Sequence, residues 1–76
     1  MQMTPAQCRA ARAMLGWSQD KLAGEAKVAK QTLADFERGA RTPYPRTLAD
    51  ILKALEVAGV GLVDDELGVG VRLSRR

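Results

Sequence analysis

The sequence predicts a small bundle of about four helices, all-α in class, with a short β-strand or hairpin appended at its C-terminal end. Three observations predict it. Four stretches carry apolar residues at helical spacing, each bounded by capping or terminating residues. Aromatics make up only 4% of the chain against 46% hydrophobic residues, so the core must be built from Leu, Val, Ile, Ala and Met. After Gly59 the apolar period changes from helical to alternating. The 76 residues are enough for one small domain, in which only roughly 60% of the unfolded chain's surface can be buried. We divide them into a helical body over 1–59 and a C-terminal extension over 60–76.

The first helix is expected over 5–15. Thr4 can cap it, Pro5 suits its first position, Gln7 completes a capping-box pattern, and Cys8, Ala11 and Leu15 repeat at i, i+3, i+7 before Gly16. A second, over about 18–26, is capped by Ser18, has Asp20 where the helix dipole favours negative charge, and turns Leu22, Ala23 and Ala26 to one side. The third lies in the stretch "KVAKQTLADFERG", Lys27 to Gly39, with Leu33 and Phe36 pointing inward and Gly39 ending it. Only Lys27, Val28 and Ala29 join it to the second. So short a connection forces the two helices to cross.

"ARTPYP" is a loop with two prolines, from which Pro45 opens a fourth helix with Leu48, Ile51, Leu52 and Leu55 at i, i+3, i+4, i+7. This is the strongest amphipathic pattern in the chain. Beyond Gly59, Leu62 leads into the turn-like "DDELG", and Val69, Val71 and Leu73 alternate with Gly70, Arg72 and Ser74. The spacing predicts a hairpin, or at least one strand near 69–73, against the alternative of a loosely ordered tail. A lone hairpin is marginal in water, so it should pack on the fourth helix or add to the same strand of a second copy.

Charge and composition narrow the chemistry. A formal net charge of +3 is mild evidence for an anionic partner, but its distribution says more. Residues 27–46 hold Lys27, Lys30, Arg38, Arg41 and Arg46 against Asp35 and Glu37, whereas 57–71 hold Asp64, Asp65 and Glu66 and no base. With one cysteine, Cys8, and no histidine, the ligand sets of zinc sites are missing, and no metal, cofactor or catalytic residue is expected. Cys8 reads as a small core residue and Trp17 as a filler between the first two helices. No apolar run nears the roughly 18 residues of a membrane span, and a reduced, cytosolic setting without membrane contact is expected.

Why the third helix should present Lys30, Gln31 and Thr32 at its N-terminal end is answered by the pairing of two helices through a three-residue turn. That arrangement is the helix-turn-helix, which sets the N-terminal end of its second helix in the major groove of DNA. Ser18-Gln19-Asp20-Lys21-Leu22-Ala23, then Val28-Ala29-Lys30-Gln31-Thr32-Leu33, then Phe36-Glu37-Arg38-Gly39 and the proline loop before Leu48 resemble the phage repressor and Cro family, also called Xre-like, over about residues 6–58. The resemblance implies a lambda-repressor-like bundle. It places the family's base-reading positions on Lys30, Gln31, Thr32 and Asp35, and its phosphate-holding positions on Gln19, Arg38 and Arg41.

Side-chain chemistry agrees with that assignment: Lys30 can donate to guanine O6 and N7, Gln31 can pair bidentately with adenine, Thr32 can meet a thymine methyl, and Asp35 can accept from cytosine N4. Asp35 would also repel phosphate, so it must either face bases or pair with a cation such as Arg38, three residues on. The sequence departs from the family in the turn, where Lys27 replaces the usual Gly and Ala29 the usual hydroxyl cap.

The resemblance implies a sequence-specific, double-stranded-DNA-binding transcriptional regulator, expected to be a repressor acting as a homodimer on an inverted repeat. Two alternatives share the fold. One is an antitoxin that gives part of its surface to a toxin protein; the other is a protein-interaction module that never binds DNA.

Overall fold

The computed structural model describes residues 2–75 as four helices followed by a two-stranded antiparallel sheet: α1 (Pro5–Leu15), α2 (Gln19–Ala26), α3 (Lys30–Glu37), α4 (Pro45–Val57), β1 (Val60–Asp65) and β2 (Gly68–Leu73). The expected helices stand where the capping residues put them. At α1, Thr4 accepts from the Gln7 backbone N–H while Gln7 accepts from the Thr4 N–H, the reciprocal capping box. At α2, Ser18 accepts from the Lys21 N–H at 3.0 Å.

The helix-turn-helix geometry depends on how α2 ends. The Val28 N–H reaches back to the Ala23 carbonyl and the Lys27 N–H to Gly24, the Schellman pattern that needs a left-handed residue at Lys27. Lys27 adopts it, at φ 59°, and is the one non-glycine residue with positive φ among those described. With Ala29 extended, the chain turns sharply into α3. Ala29, at the N-cap, makes no side-chain bond to the free N–H groups of that helix.

The core forms where the four apolar faces meet. Leu22, Leu33, Ile51, Leu55 and Cys8 are fully buried, joined by Ala11, Phe36 and Leu48; each large side chain so buried is worth about 1.5–3 kcal/mol. Leu15 and Leu52, expected inside, lie at the edge of this cluster. α2 packs on both α3 and α4, so the last helix braces the motif from behind.

The all-α class is corrected by the C-terminal sheet, which is an integral layer. β1 and β2 pair in the register Val60↔Leu73, Leu62↔Val71, Asp64↔Val69. Val60 is a core residue at 2% exposure, and Leu62, Val71 and Leu73 pack against the same cluster. The hairpin also rests on more than the fourth helix: β1 lies along α4, but β2 lies along α1. The fastening is polar. Having capped α1, Gln7 turns its amide N–H groups to the carbonyls of Val63 and Gly70, at 3.3 and 2.9 Å. At the tip, the Asp65 carboxylate accepts from the N–H groups of Leu67 and Gly68 and closes the turn.

Two positions in this fold are poorer than they need be. Gly24 sits in α2 with nothing within 4 Å of where a Cβ would stand, and Ala29 forgoes a cap. Gly24→Ala and Ala29→Ser are each expected to add about 1 kcal/mol, raising the melting temperature by about 4–8 °C. Thermal unfolding followed by circular dichroism checks this, and a fall for both would contradict the placement of α2 and α3.

Candidate nucleic-acid interface

The first turn of α3 faces solvent. Lys30 and Gln31 are exposed, and Thr32 and Asp35 are half-buried on the same side of the helix. None of these side chains caps the helix, so its first N–H groups stay free beside them. The polar groups are nonetheless already engaged. The Gln31 amide donates to Asp35 at 2.9 Å, Arg38 donates to the same Asp35 oxygen at 2.9 Å, and the Lys30 ammonium lies 3.2 Å from Asp20. Of the two readings of Asp35, pairing with Arg38 is the one the structure contains. The Gln31 and Arg38 hydrogen bonds hold its carboxyl below the usual range, so it stays ionised.

The other acid of this segment is removed from the surface altogether. Glu37 is 2% exposed. Its position follows from helical spacing, since Leu33, Phe36 and Glu37 at i, i+3, i+4 share the inward side of α3. There it receives a bidentate guanidinium from α1, with Arg12 Nε and Nη2 each 2.7 Å from a carboxylate oxygen. Gln19 of α2 donates at 3.0 Å and the Cys8 thiol at 3.1 Å. The Glu37 carbonyl is capped by Arg9. Burial alone would raise the Glu37 carboxyl, but the bonds from Arg12, Gln19 and Cys8 outweigh it and hold the group below its ordinary value. Burial and the adjacent carboxylate push the Cys8 thiol up, which keeps it protonated as a donor.

This internal carboxylate changes how the expected phosphate contacts are arranged. Gln19 has its amide N–H turned inward to Glu37, so what it offers outward is the backbone N–H at the start of α2. Arg38 and Arg41 are exposed after α3, and the Arg41 backbone N–H bonds the Asp35 carbonyl, which ties the loop to the helix end. With Glu37 buried and Asp35 paired, the segment around α3 presents Lys27, Lys30, Arg38, Arg41 and Arg46 to solvent. With Glu37 neutralised internally by Arg12, the acids left beside these cations are Asp35, held by Arg38, and Asp20, held by Lys30.

Sequence reasoning passed over Tyr44 and Thr47. With Thr32, Arg41 and the acidic Asp50 they line an open cleft of about 490 Å³ between the first turns of α3 and α4, and Tyr44 is 83% exposed. α4, like α3, begins without a side-chain cap. The signal available was the pairing of Ala29 and Tyr44 as N-cap residues that cannot cap. Trp17 is half-buried at the α1–α2 joint, with Lys21 Nζ 5.5 Å above its ring and Arg12 bonded to its carbonyl.

Residues 9–62 match the family model described as helix-turn-helix. The chain belongs to that family, in its Xre or lambda-repressor-like branch. Membership makes this helix-turn-helix protein a DNA-binding regulator. No curated protein matches the chain. Among the described residues no helix is long and apolar enough to cross a membrane.

Removing the buried acid tests the account of this interface. Glu37→Gln strands Arg12 beside a neutral amide and is expected to lower stability by about 3 kcal/mol at neutral pH. The folded-state carboxyl lies below its ordinary value of 4.5, so its stabilisation is complete above that pH and is lost as the pH falls through the lower, folded-state value. Denaturant titrations across this range should show the wild type converging on the variant in acid. Parallel curves at every pH would overturn the assignment.

Proposed function

We propose that the chain is a sequence-specific transcriptional repressor that binds an inverted-repeat operator as a homodimer, and that it is a binding protein with no catalytic role. The observation that supports this best is the first turn of α3, where Lys30 and Gln31 project from an uncapped helix end inside an otherwise basic surface. In this reading Lys30 exchanges Asp20 for guanine O6 and N7, Gln31 leaves Asp35 for adenine, and Thr32 meets a thymine methyl or a base edge. Asp35 keeps Arg38 while releasing Gln31, or turns to cytosine N4 where the site offers it. Arg38, Arg41 and the N–H groups opening α2 at Gln19 hold the phosphates on either side. The cleft beside Tyr44 and Thr47 admits the sugar-phosphate backbone as α3 enters the groove.

In this reading the domain regulates by occupying its site. Two-fold symmetry then sets the half-sites about one helical turn apart, ~34 Å.

Selection from a random duplex-DNA pool at roughly 150 mM salt, where purely electrostatic binding is already weak, is expected to enrich an inverted repeat. No enrichment would turn the reading toward a protein-interaction module or an antitoxin that needs its toxin. Within the enriched site, Lys30→Ala and Gln31→Ala should each lose about 1–3 kcal/mol at one base position and relax preference there. Arg38→Ala and Arg41→Ala should weaken all sequences alike and reduce the salt slope by about 1 each. Identical behaviour of the four variants would remove the distinction between readers and anchors.

A further inference from the structure

The outer edge of β2 is an unguarded strand. The bond from the Ser74 N–H to the Gly59 carbonyl, 2.8 Å, marks that opposed pair as a hydrogen-bonded one. Alternation along the ladder then makes Gly61–Arg72 and Val63–Gly70 bonded pairs, and turns the N–H and C=O groups of Val69, Val71 and Leu73 away from β1. Gln7 supports this phase, because one amide reaches both the Val63 and Gly70 carbonyls only if those oxygens converge between the strands. Among the described residues no hydrogen bond reaches the outward groups of Val69, Val71 or Leu73.

Soluble proteins protect such edges with charge, proline or a bulge. β1 has Asp64 on its own edge, and its inner end is enclosed at Val60 just after α4. β2 has none of these on the edge-forming positions, and although α1 lies along this strand, Val69 stays 58% exposed and the adjoining turn residue Leu67 93%. The hairpin is also charged oppositely at its two ends, with Asp64, Asp65 and Glu66 at the tip and Arg72 and Arg75 toward the base. Among the described residues no salt bridge uses any of these five. An antiparallel strand brings tip to base, and the strand whose charges fit is this same strand from a second copy.

We propose that β2 pairs antiparallel with β2 of a second copy about a two-fold axis through Val71, joining the two hairpins into one four-stranded sheet. In that register Val71 opposes its symmetry mate and Val69 opposes Leu73 of the second copy, so the outward groups meet as bonded pairs and the exposed valine is covered. On the outer face Arg72 falls opposite Gly70, where nothing lies within 4 Å of a Cβ position, and the guanidinium can lie across the glycines toward Asp65 of the second copy. Moving the axis to Arg72 would set Arg72 against Arg72, which like-charge repulsion disfavours. Moving it to Gly70 leaves Leu73 facing a turn residue. The hairpin rests on α1 and α4, so this seam leaves both copies of α3 uncovered. The inference rests on the homodimer reading above and specifies its surface.

Paired cysteines read the register directly. Gly70 and Arg72 of the second copy form a non-bonded antiparallel pair, with Cα atoms ~4.5 Å apart, inside the range a disulfide spans. The Gly70→Cys, Arg72→Cys double variant of the full chain, oxidised mildly, is expected to run at twice the 8.2 kDa chain mass on a non-reducing gel, while each single variant stays at one chain. Cys8 is fully buried and present in all three, so the single variants also control for it. Sedimentation of the wild type should give a dimer, and Val69→Lys, which guards the edge, should raise its dissociation constant at least about tenfold. A wild-type dimer with no cross-link in the double variant, or cross-linking of a single variant, would overturn the edge and register while leaving DNA recognition intact. A wild type that stays monomeric would overturn the proposal itself. Recognition of the operator stands or falls separately, on the base preferences selected from the DNA pool.

Discussion

The Glu37 carboxylate is the constraint from which the rest of the DNA-binding surface follows. It takes bonds from Arg12 and Cys8 on α1 and from Gln19 on α2 while belonging to α3, so three helices are fixed about one buried charge. An ion pair with this little exposure gains stability only when its geometry is good and its remaining lone pairs are used. Here four side-chain donor groups converge on two oxygens, and no buried side-chain polar atom among the described residues lacks a partner. The network sets orientation as well as energy. An apolar contact would permit α3 to rotate or slide against α1, whereas a bidentate guanidinium fork allows one register.

That register decides which residues of α3 face outward. With Leu33, Phe36 and Glu37 inside, the side chains about half a turn away are those of Gln31 and Asp35, while Lys30 reaches solvent from the open N-terminal end of the helix. The same event also tunes the surface charge. Removing an acid from solvent reduces the negative charge of the segment, and Asp35 is held internally by Gln31 and Arg38. Arg38 stays 67% exposed while it holds Asp35, so it can serve the carboxylate and still lie near a phosphate. An arginine has enough donors in its fork for both.

Helix positions were legible in the sequence because caps and terminators are local chemistry. Thr4, Ser18, Gly16, Gly39 and Pro45 act within one turn of themselves, so their meaning survives without knowledge of the fold. Lys27 and Ala29 were legible as departures for the same reason, and the structure puts the left-handed residue and the empty cap at those positions. The internal ties were not. Arg12 and Glu37 are separated by 25 residues and Gln7 and Gly70 by 63, and no spacing rule connects residues across elements. Gln7 could be read as half of a capping box, which it is, but its second use needs a strand to arrive beside α1. Gln19 reads as an outward amide for the same reason, until the buried carboxylate that draws it inward is known.

The C-terminal sheet shows how one local pattern can leave its partner undetermined. Alternation of Val69, Val71 and Leu73 specifies a strand and which face is apolar, and that face does pack on the helical core. It says nothing about where the strand sits; Gln7 of α1 makes the only side-chain hydrogen bonds that reach the hairpin's carbonyls among the described residues, one to each strand. Once anchored there, β1 is shielded by its own acid and by α4, and the unpaired polarity of the sheet is left on β2. A small domain can bury only a modest share of its surface. Under the proposed pairing, completing the sheet with a second copy would satisfy the exposed edge with the same residues that created it, and α3 makes no substantial contact with the hairpin that carries that edge.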